Sequence, residues 1–299
     1  MRIGIDLGGT KIELVALDAE GSELYKKRIK TPQSSYSKTI DAIGHLVVSC
    51  ERELGRSGSV GVGHPGVISP VTGLVKNANS VCLIGKALQS DLEFNLQRPV
   101  RLANDANCFA LSEYNDGAGV NVKSLFGVIL GTGVGAGIVV NGAIITGCNA
   151  IGGEWGHNPL PWLKHSDGEL MACYCGQLNC IETFLSGPGF TARFNAENQC
   201  DFDSKRIVDQ AAMGDQVSKN AFERYCDQVA RSVASIINVL DPEIIVLGGG
   251  MSNISPLYER VPALWGQYIF SDTVHTLLKP AKYGDSSGVR GAAWLWPED

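Results

Sequence analysis

No stretch of this chain stays apolar for long. Hydrophobic residues fill 44% of the 299 positions. Yet no uninterrupted run reaches the roughly 18 residues a membrane-spanning helix needs, so no membrane association is expected. Neither sign of charge dominates. The net charge is −6 with acids and bases well mixed, which argues against a nucleic-acid-binding surface. A leader is missing as well: Met-Arg-Ile-Gly-Ile-Asp enters a strand-like alternation directly. No signal peptide is expected, and the cytoplasm is the expected compartment. Nine cysteines would suggest disulfides in a small secreted domain, but this chain is neither small nor, on this reading, exported. Six of them (Cys50, Cys82, Cys108, Cys148, Cys200 and Cys226) lie among apolar neighbours and read as buried free thiols.

Glycine is abundant, at 36 residues, and concentrates where apolar strands end. Residues 3–17 and 126–140 share one grammar of strand, glycine turn with a threonine (Thr10, Thr132), and strand. The repetition suggests two halves of similar topology. Each half continues with helix and strand signals: helical spacing over Tyr36–Leu54, a strand at Val60–Gly63, a helix face through Phe222, Val229, Val233 and Leu240 that stops at Asp241-Pro242, and a buried strand at Ile244–Leu247. The expected class is α/β, as two domains with a cleft between them. The expected boundaries are 1–118 for an N-terminal domain completed by 284–299, and 119–283 for a C-terminal domain.

The remaining three cysteines are clustered. His157 stands sixteen residues before Cys173, with Cys175 and Cys180 close behind. Three thiolates and one imidazole are the ligand set of a closed tetrahedral zinc site. Glu154 and Glu182 flank these ligands and are left over for other work. A segment holding spare carboxylates still has the character of a binding site.

Three glycine turns can cradle phosphate. Asp6-Leu7-Gly8-Gly9-Thr10-Lys11 lacks Walker spacing, but its glycines let backbone N–H groups approach an anion, and Asp6 can hold Mg²⁺ or its waters. Gly131-Thr132-Gly133 with Gly135, and Gly248-Gly249-Gly250, offer two more cradles. For each, the plainer alternative is a turn demanded by tight geometry alone. Asn104-Asp105 stands where a strand gives way to a helix. It reads either as an N-cap or as a hydroxyl holder beside a general base. His64-Pro65-Gly66 and Asn77–Ser80, with Asn79, are turn-forming first and ligand-contacting second.

Together, Asp6–Lys11, Gly63–Gly66, Asn104-Asp105, Gly131–Gly135, Glu154…His157, Cys173–Glu182 and Gly248–Gly250 resemble the ROK family of repressors, open reading frames and sugar kinases, over the full length of the chain. Val75–Ser80, Gly156–Trp162 and Gly284–Pro297 are similar to its bacterial fructokinases. The resemblance implies the duplicated actin-like, ribonuclease H-like sugar-kinase fold with ATP in the interdomain cleft. It implies Asp105 as the base for phosphoryl transfer to a hexose 6-hydroxyl. Asn104, Glu154, His157 and Glu182 would bind sugar hydroxyls, Gly66 would line the pocket through its backbone, and His157, Cys173, Cys175 and Cys180 would hold structural Zn²⁺. Fructose is the expected substrate, with mannose beside it; glucose or an N-acylated hexosamine is the alternative. The family's repressors carry a helix-turn-helix domain before the first strand, and here that strand begins at Arg2, so a regulator is disfavoured. Asn179 replaces the usual glycine before the last cysteine and is expected to tolerate positive φ. His64 is expected to be solvent-facing or simply packed. Trp294 and Trp296 read as core by default, and a homodimer stays open.

Overall fold

The structure is a computed structural model that describes residues 1–32, 35–78 and 80–297. The chain forms two compact units. One holds residues 1–121, 137–152 and 285–299; the other holds 122–136 and 153–284. In chain order the main elements are β1 (Arg2–Leu7), β2 (Lys11–Leu17), β3 (Glu23–Lys30), α1 (Tyr36–Leu54), β4 (Ser59–His64), β5 (Val67–Ile68), β6 (Val75–Lys76), α2 (Leu88–Leu96), β7 (Val100–Asn104) and α3 (Asp105–Asn115). Then follow β8 (Ser124–Leu130), β9 (Val134–Val140), β10 (Ala143–Ile144), α4 (Glu182–Leu185), α5 (Gly187–Asn198), α6 (Ser204–Ala212), α7 (Gln216–Leu240), β11 (Ile244–Gly248), α8 (Leu257–Trp265), β12 (Leu277–Pro280) and α9 (Ser287–Ala293).

The first sheet has strand order β3-β2-β1-β4-β7, and the second repeats it as β10-β9-β8-β11-β12. In each, the strand beyond the glycine turn lies to one side and parallel strands lie to the other: β1 pairs with β4, and β8 with β11, in parallel. This is the duplicated ribonuclease H-like topology. The central strand β1 is covered on both faces: Ile3, Ile5 and Leu7 face the core on one side, Gly4 lies against α9 on the other, and only Asp6 keeps some exposure. α1 buries Ile40, Ile43, Leu46, Val47 and Cys50 along one stripe and stops at Gly55, whose φ of 65° is left-handed. α7 stops at Asp241, directly before Pro242, as the sequence predicts. Of the six remaining cysteines, Cys50, Cys108 and Cys226 are buried and Cys82 and Cys200 partly so. Cys148 is exposed, contrary to expectation.

The C-terminal helix α9 packs in the first unit at backbone contact distance. A Cβ on Gly61 would sit 1.9 Å from the Ala292 carbonyl oxygen, and one on Gly291 would sit 1.6 Å from that of Cys108. These glycines are required by close approach of rigid backbone and not by turning. Trp294 joins Val15, Leu17, Val289 and Ala293 in a small cluster, and the Trp296 indole N–H donates to the Val60 carbonyl at 2.7 Å. Both tryptophans are packed in this unit.

Helix α9 supplies its own control. Gly288 faces nothing within 4 Å. Gly291→Ala is expected to destabilise by about 1–3 kcal/mol or more through overpacking against backbone. Gly288→Ala is expected to be neutral or to stabilise by up to ~1 kcal/mol. Urea unfolding of both variants checks this, and equal midpoints would remove the close-approach argument.

Candidate active site

In the first unit, β1 delivers Asp6 to the sheet end and the turn Leu7–Lys11 follows. The Gly8 N–H donates to the Lys11 carbonyl at 3.0 Å, and the Thr31 hydroxyl and N–H donate to the Gly8 and Thr10 carbonyls at 2.7 and 3.0 Å. The turn is thus fixed by its own backbone. Gly9 and Thr10 remain exposed on a cavity of about 500 Å³ that Thr31 and Ser80 also line. Asp6 is pushed up to about 6, first by burial, then by the Asp105 and Glu13 carboxylates. Glu13 is held by Arg28 and by Lys26 at 3.1 Å. Three carboxylates so close are the surroundings that a divalent cation relieves.

Asn104 and Asp105 occupy the β7–α3 junction. The Ala106 N–H donates to Asn104 Oδ1 at 2.9 Å and to Asp105 Oδ1 at 2.8 Å, so the cap reading is structurally correct. The Asn104 amide also donates to the Gly66 carbonyl at 3.0 Å, which brings these two expected pocket residues together. Gly66 has φ 75°, and a Cβ there would meet the Lys76 carbonyl at 2.5 Å. Asp105 remains exposed at the helix N-terminus, where the helix dipole favours its anion. His64 is packed at 1% exposure with Nδ1 3.0 Å from the Pro65 carbonyl, and burial holds its pKa low. Asn79 lies outside the described residues.

In the second unit, the turn Gly131–Gly133 joins β8 to β9, whereas Gly135 lies inside β9. The Val134 N–H donates to Glu182 Oε2 at 2.9 Å, and a Cβ on Gly133 would come within 2.6 Å of that same oxygen. Gly249 (φ 80°) backs onto the turn, since a Cβ there would meet the Leu130 carbonyl at 2.5 Å and the Gly131 nitrogen at 3.0 Å. The Gly187 N–H, at the start of α5, donates to the Gly131 carbonyl at 2.9 Å. The glycine turns of this unit therefore meet each other, and Gly187 joins them. Sequence reading missed Gly187, although Ser186-Gly187-Pro188 signals a capped helix start. Gly248–Gly250 leads from β11 into a single 3₁₀ turn, Gly250–Asn253, and not into a longer helix.

Glu154–His157 form one 3₁₀ turn. Gly156 within it lies against the Val134 carbonyl, 2.1 Å from where its Cβ would be. His157, Cys173, Cys175 and Cys180 bring their ligand atoms within 4.8 Å of one another. Cys173 Sγ lies 3.6 Å from His157 Nδ1, and the Sγ atoms of Cys175 and Cys180 are 3.6 Å apart. A zinc tetrahedron with bonds of about 2.3 Å has edges of roughly 3.8 Å, so the donor set fits the ion. Burial and then the neighbouring thiols push Cys180 up to about 12, so three thiolates coexist there only around a cation. Asn179 adopts φ 55° as expected, and its Oδ1 accepts the Met171 N–H at 2.8 Å. On its other side, His157 Nε2 lies 3.0 Å from the Tyr174 hydroxyl, a contact with no signal in the local sequence.

The model of the ROK family matches residues 2–299. The chain is 38% identical, over 99% of both sequences, to an N-acetyl-D-glucosamine kinase from Yersinia enterocolitica. Among solved structures, a ROK hexokinase from Thermus thermophilus is 28% identical with a TM-score of 0.87, over 98% of this chain and 96% of that one. A ROK glucokinase from Streptomyces griseus, solved with glucose and AMPPNP, is 26% identical with a TM-score of 0.77, over 98% of each chain. The expected fructose preference finds no support in these relatives. Among the described residues no helix is long and apolar enough to cross a membrane.

Asp6 carries a pH dependence. Its folded pKa of about 6 stands above the ordinary 3.8, so the folded chain holds the proton more tightly than the unfolded one. Ionising Asp6 therefore costs stability as pH rises from about 4 to about 6. Above that window the full cost is present, and below it the cost is gone. Asp6→Asn is expected to stabilise the ligand-free protein by about 1–3 kcal/mol at neutral pH, with the gain vanishing toward about pH 4. Unfolding measurements across that range check the sign; a gain that does not vary with pH would contradict it.

Proposed function

The chain belongs to the ROK family, and on that premise we propose that it is an ATP-dependent N-acetyl-D-glucosamine kinase that phosphorylates the sugar 6-hydroxyl. The observation that carries this reading is likeness along the whole chain, 38% over 99% of both sequences, to a kinase of that name. The alternative substrate weighed from sequence, an N-acylated hexosamine, thereby takes the place of fructose.

The site geometry supports the chemistry. Phosphoryl transfer asks for positioning and charge neutralisation more than for covalent catalysis. In this reading Asp105 orients the attacking hydroxyl and takes its proton, since its exposed carboxylate stands at a helix start beside Asp6. Asn104 keeps one amide N–H and a carbonyl lone pair for a sugar hydroxyl after its bonds to Gly66 and Ala106. Glu182 commits one oxygen to Val134 and keeps the other for the sugar. Glu154 and His157 share a turn that the cysteine cluster ties down. The turns at Gly8–Thr10, Gly131–Gly133 and Gly249-Gly250 would line the phosphates; the Gly8 and Gly131 N–H groups are engaged within their own turns, so the other donors of these turns would make the contacts. Asp6 would hold Mg²⁺, which supplies charge neutralisation on the phosphates when bound. His157, Cys173, Cys175 and Cys180 would hold Zn²⁺, which with four protein donors would serve only to fix this segment.

A coupled ADP-release assay across N-acetyl-D-glucosamine, glucose, mannose and fructose tests the reading. The highest kcat/KM is expected for N-acetyl-D-glucosamine, and a higher value for fructose would overturn it. Asp105→Asn is expected to lower turnover by about 10²–10⁴-fold while sugar affinity stays within roughly tenfold. Near-normal turnover would remove Asp105 from the base role.

A further inference from the structure

Tyr174 stands between two metal ligands, Cys173 and Cys175, yet its side chain is 83% exposed. A tyrosine so placed has no packing to hold it in one position. Its ring nonetheless stands edge-on to the His157 imidazole, with centroids 5.1 Å apart and planes at 87°, and its hydroxyl lies 3.0 Å from Nε2. Nδ1 is the nitrogen turned toward Cys173 Sγ. A neutral imidazole whose Nδ1 lone pair serves as the ligand carries its proton on Nε2. Nε2–H therefore donates and the tyrosine oxygen accepts.

Two carboxylates belong to the same segment: Glu154 shares the 3₁₀ turn of His157, and Glu182 opens α4 two positions after Cys180. One N–H to accept from and two nearby carboxylates are also what a sugar hydroxyl would meet in this segment. We propose that Tyr174 is a substrate-displaced latch, its hydroxyl standing in for a sugar hydroxyl on His157 until the hexose replaces it. This deepens the kinase reading and rests on it.

Displacement is cheap in structural terms. The flanking cysteines fix the backbone of residue 174, so only an exposed side chain has to rotate. What the protein gives up is one hydrogen bond and one edge-to-face contact, and the sugar's apparent affinity is its intrinsic affinity scaled by the fraction of molecules in which the latch is open. The latch thereby sets a threshold on which ligands bind. A weak one that offers fewer hydroxyls to His157 and the carboxylates gains too little to displace a tethered phenol.

Tyr174→Phe keeps the ring and removes the bond. Zinc-loaded wild-type and Y174F proteins, matched by metal content, are compared by calorimetric titration with N-acetyl-D-glucosamine. Y174F is expected to bind roughly two- to tenfold more tightly, the worth of one net hydrogen bond. Exchange of the His157 Nε2 proton with water, followed by nitrogen-15-edited NMR, is expected to be faster in Y174F. Equal affinity and equal exchange overturn the latch while the kinase reading stands. Weaker binding by Y174F also overturns it, because Tyr174 is then a sugar contact. Failure of both proteins to bind N-acetyl-D-glucosamine, glucose, mannose or fructose overturns the kinase reading, and the latch falls with it.

Discussion

Glu182 accepts the Val134 amide at 2.9 Å, and the placement of three separate segments follows from that bond. Val134 opens β9 directly after the Gly131–Gly133 turn. Its carbonyl lies against Gly156, in the turn that carries Glu154 and His157. Glu182 itself opens α4 two residues after Cys180, the last thiol of the cluster. The Gly131–Gly133 turn, the histidine turn and the cysteine loop are therefore registered on buried Val134 and the Glu182 carboxylate bonded to it. Gly133 shows how tight the arrangement is, since any side chain there would meet the Glu182 carboxylate. A hydrogen bond to a charged group contributes about 1.5–3 kcal/mol, enough to keep the loop in place but not to assemble it. The loop adds its own ties: the Ile181 N–H donates to the Asn158 carbonyl at 2.8 Å and the Leu160 N–H to the Asn179 carbonyl at 2.9 Å. In the proposed function, one carboxylate would then hold the turn with one oxygen and the sugar with the other, so sugar binding and turn geometry are mechanically linked.

The first unit has the opposite character. Its candidate residues are held in an electrostatic conflict that the fold does not relieve. Asp6 and Glu13 face each other across the β1–β2 pair, and Asp105 is near enough to raise Asp6 further. Glu13 is neutralised by Arg28 and Lys26, whereas Lys11 and Arg28 only partly offset the charge around Asp6. A protein selected for stability alone would place an amide at Asp6. Keeping a carboxylate there makes sense where a cation completes the site, the usual pattern for a group whose pKa the fold has displaced.

Much of this was legible from residues. The strand–glycine–strand grammar at 3–17 and 126–140 gave the duplicated sheet because a tight hairpin between apolar strands leaves a strong local signal. The cluster of His157, Cys173, Cys175 and Cys180 was legible because thiolate and imidazole spacing suggests coordination chemistry in sequence alone. Asn104 was legible as a cap. What stayed hidden is non-local. Gly61 and Gly291 look like ordinary glycines, and only the approach of α9 explains them. Glu182 was expected to face a ligand, and its bond to Val134, 48 positions away, has no trace in the local pattern. Tyr174 was invisible for a further reason: a residue between two ligands reads as a spacer until the direction of its side chain is known.

The fructose expectation failed to gain support for a physical reason that lies in the stretches it rested on. Gly284–Pro297 contains α9, whose composition is set by backbone contact with Cys108 and the sheet glycines. Val75-Lys76 is a strand paired with β5, and the Lys76 carbonyl packs onto Gly66. In Gly156–Trp162, the Pro161 and Trp162 carbonyls accept from Arg231 at 3.1 and 2.7 Å, and Arg231 is in turn paired with buried Asp167. Residues in such stretches answer to packing, and packing says nothing about which sugar is bound. Sugars that differ at one carbon are separated by the groups that touch that carbon, where a mismatched hydrogen bond changes selectivity far more than a mismatched methylene. In the proposed function, the groups that would choose are few and short of motif character: the second oxygen of Glu182, the outward nitrogen of His157, and whatever competes for it.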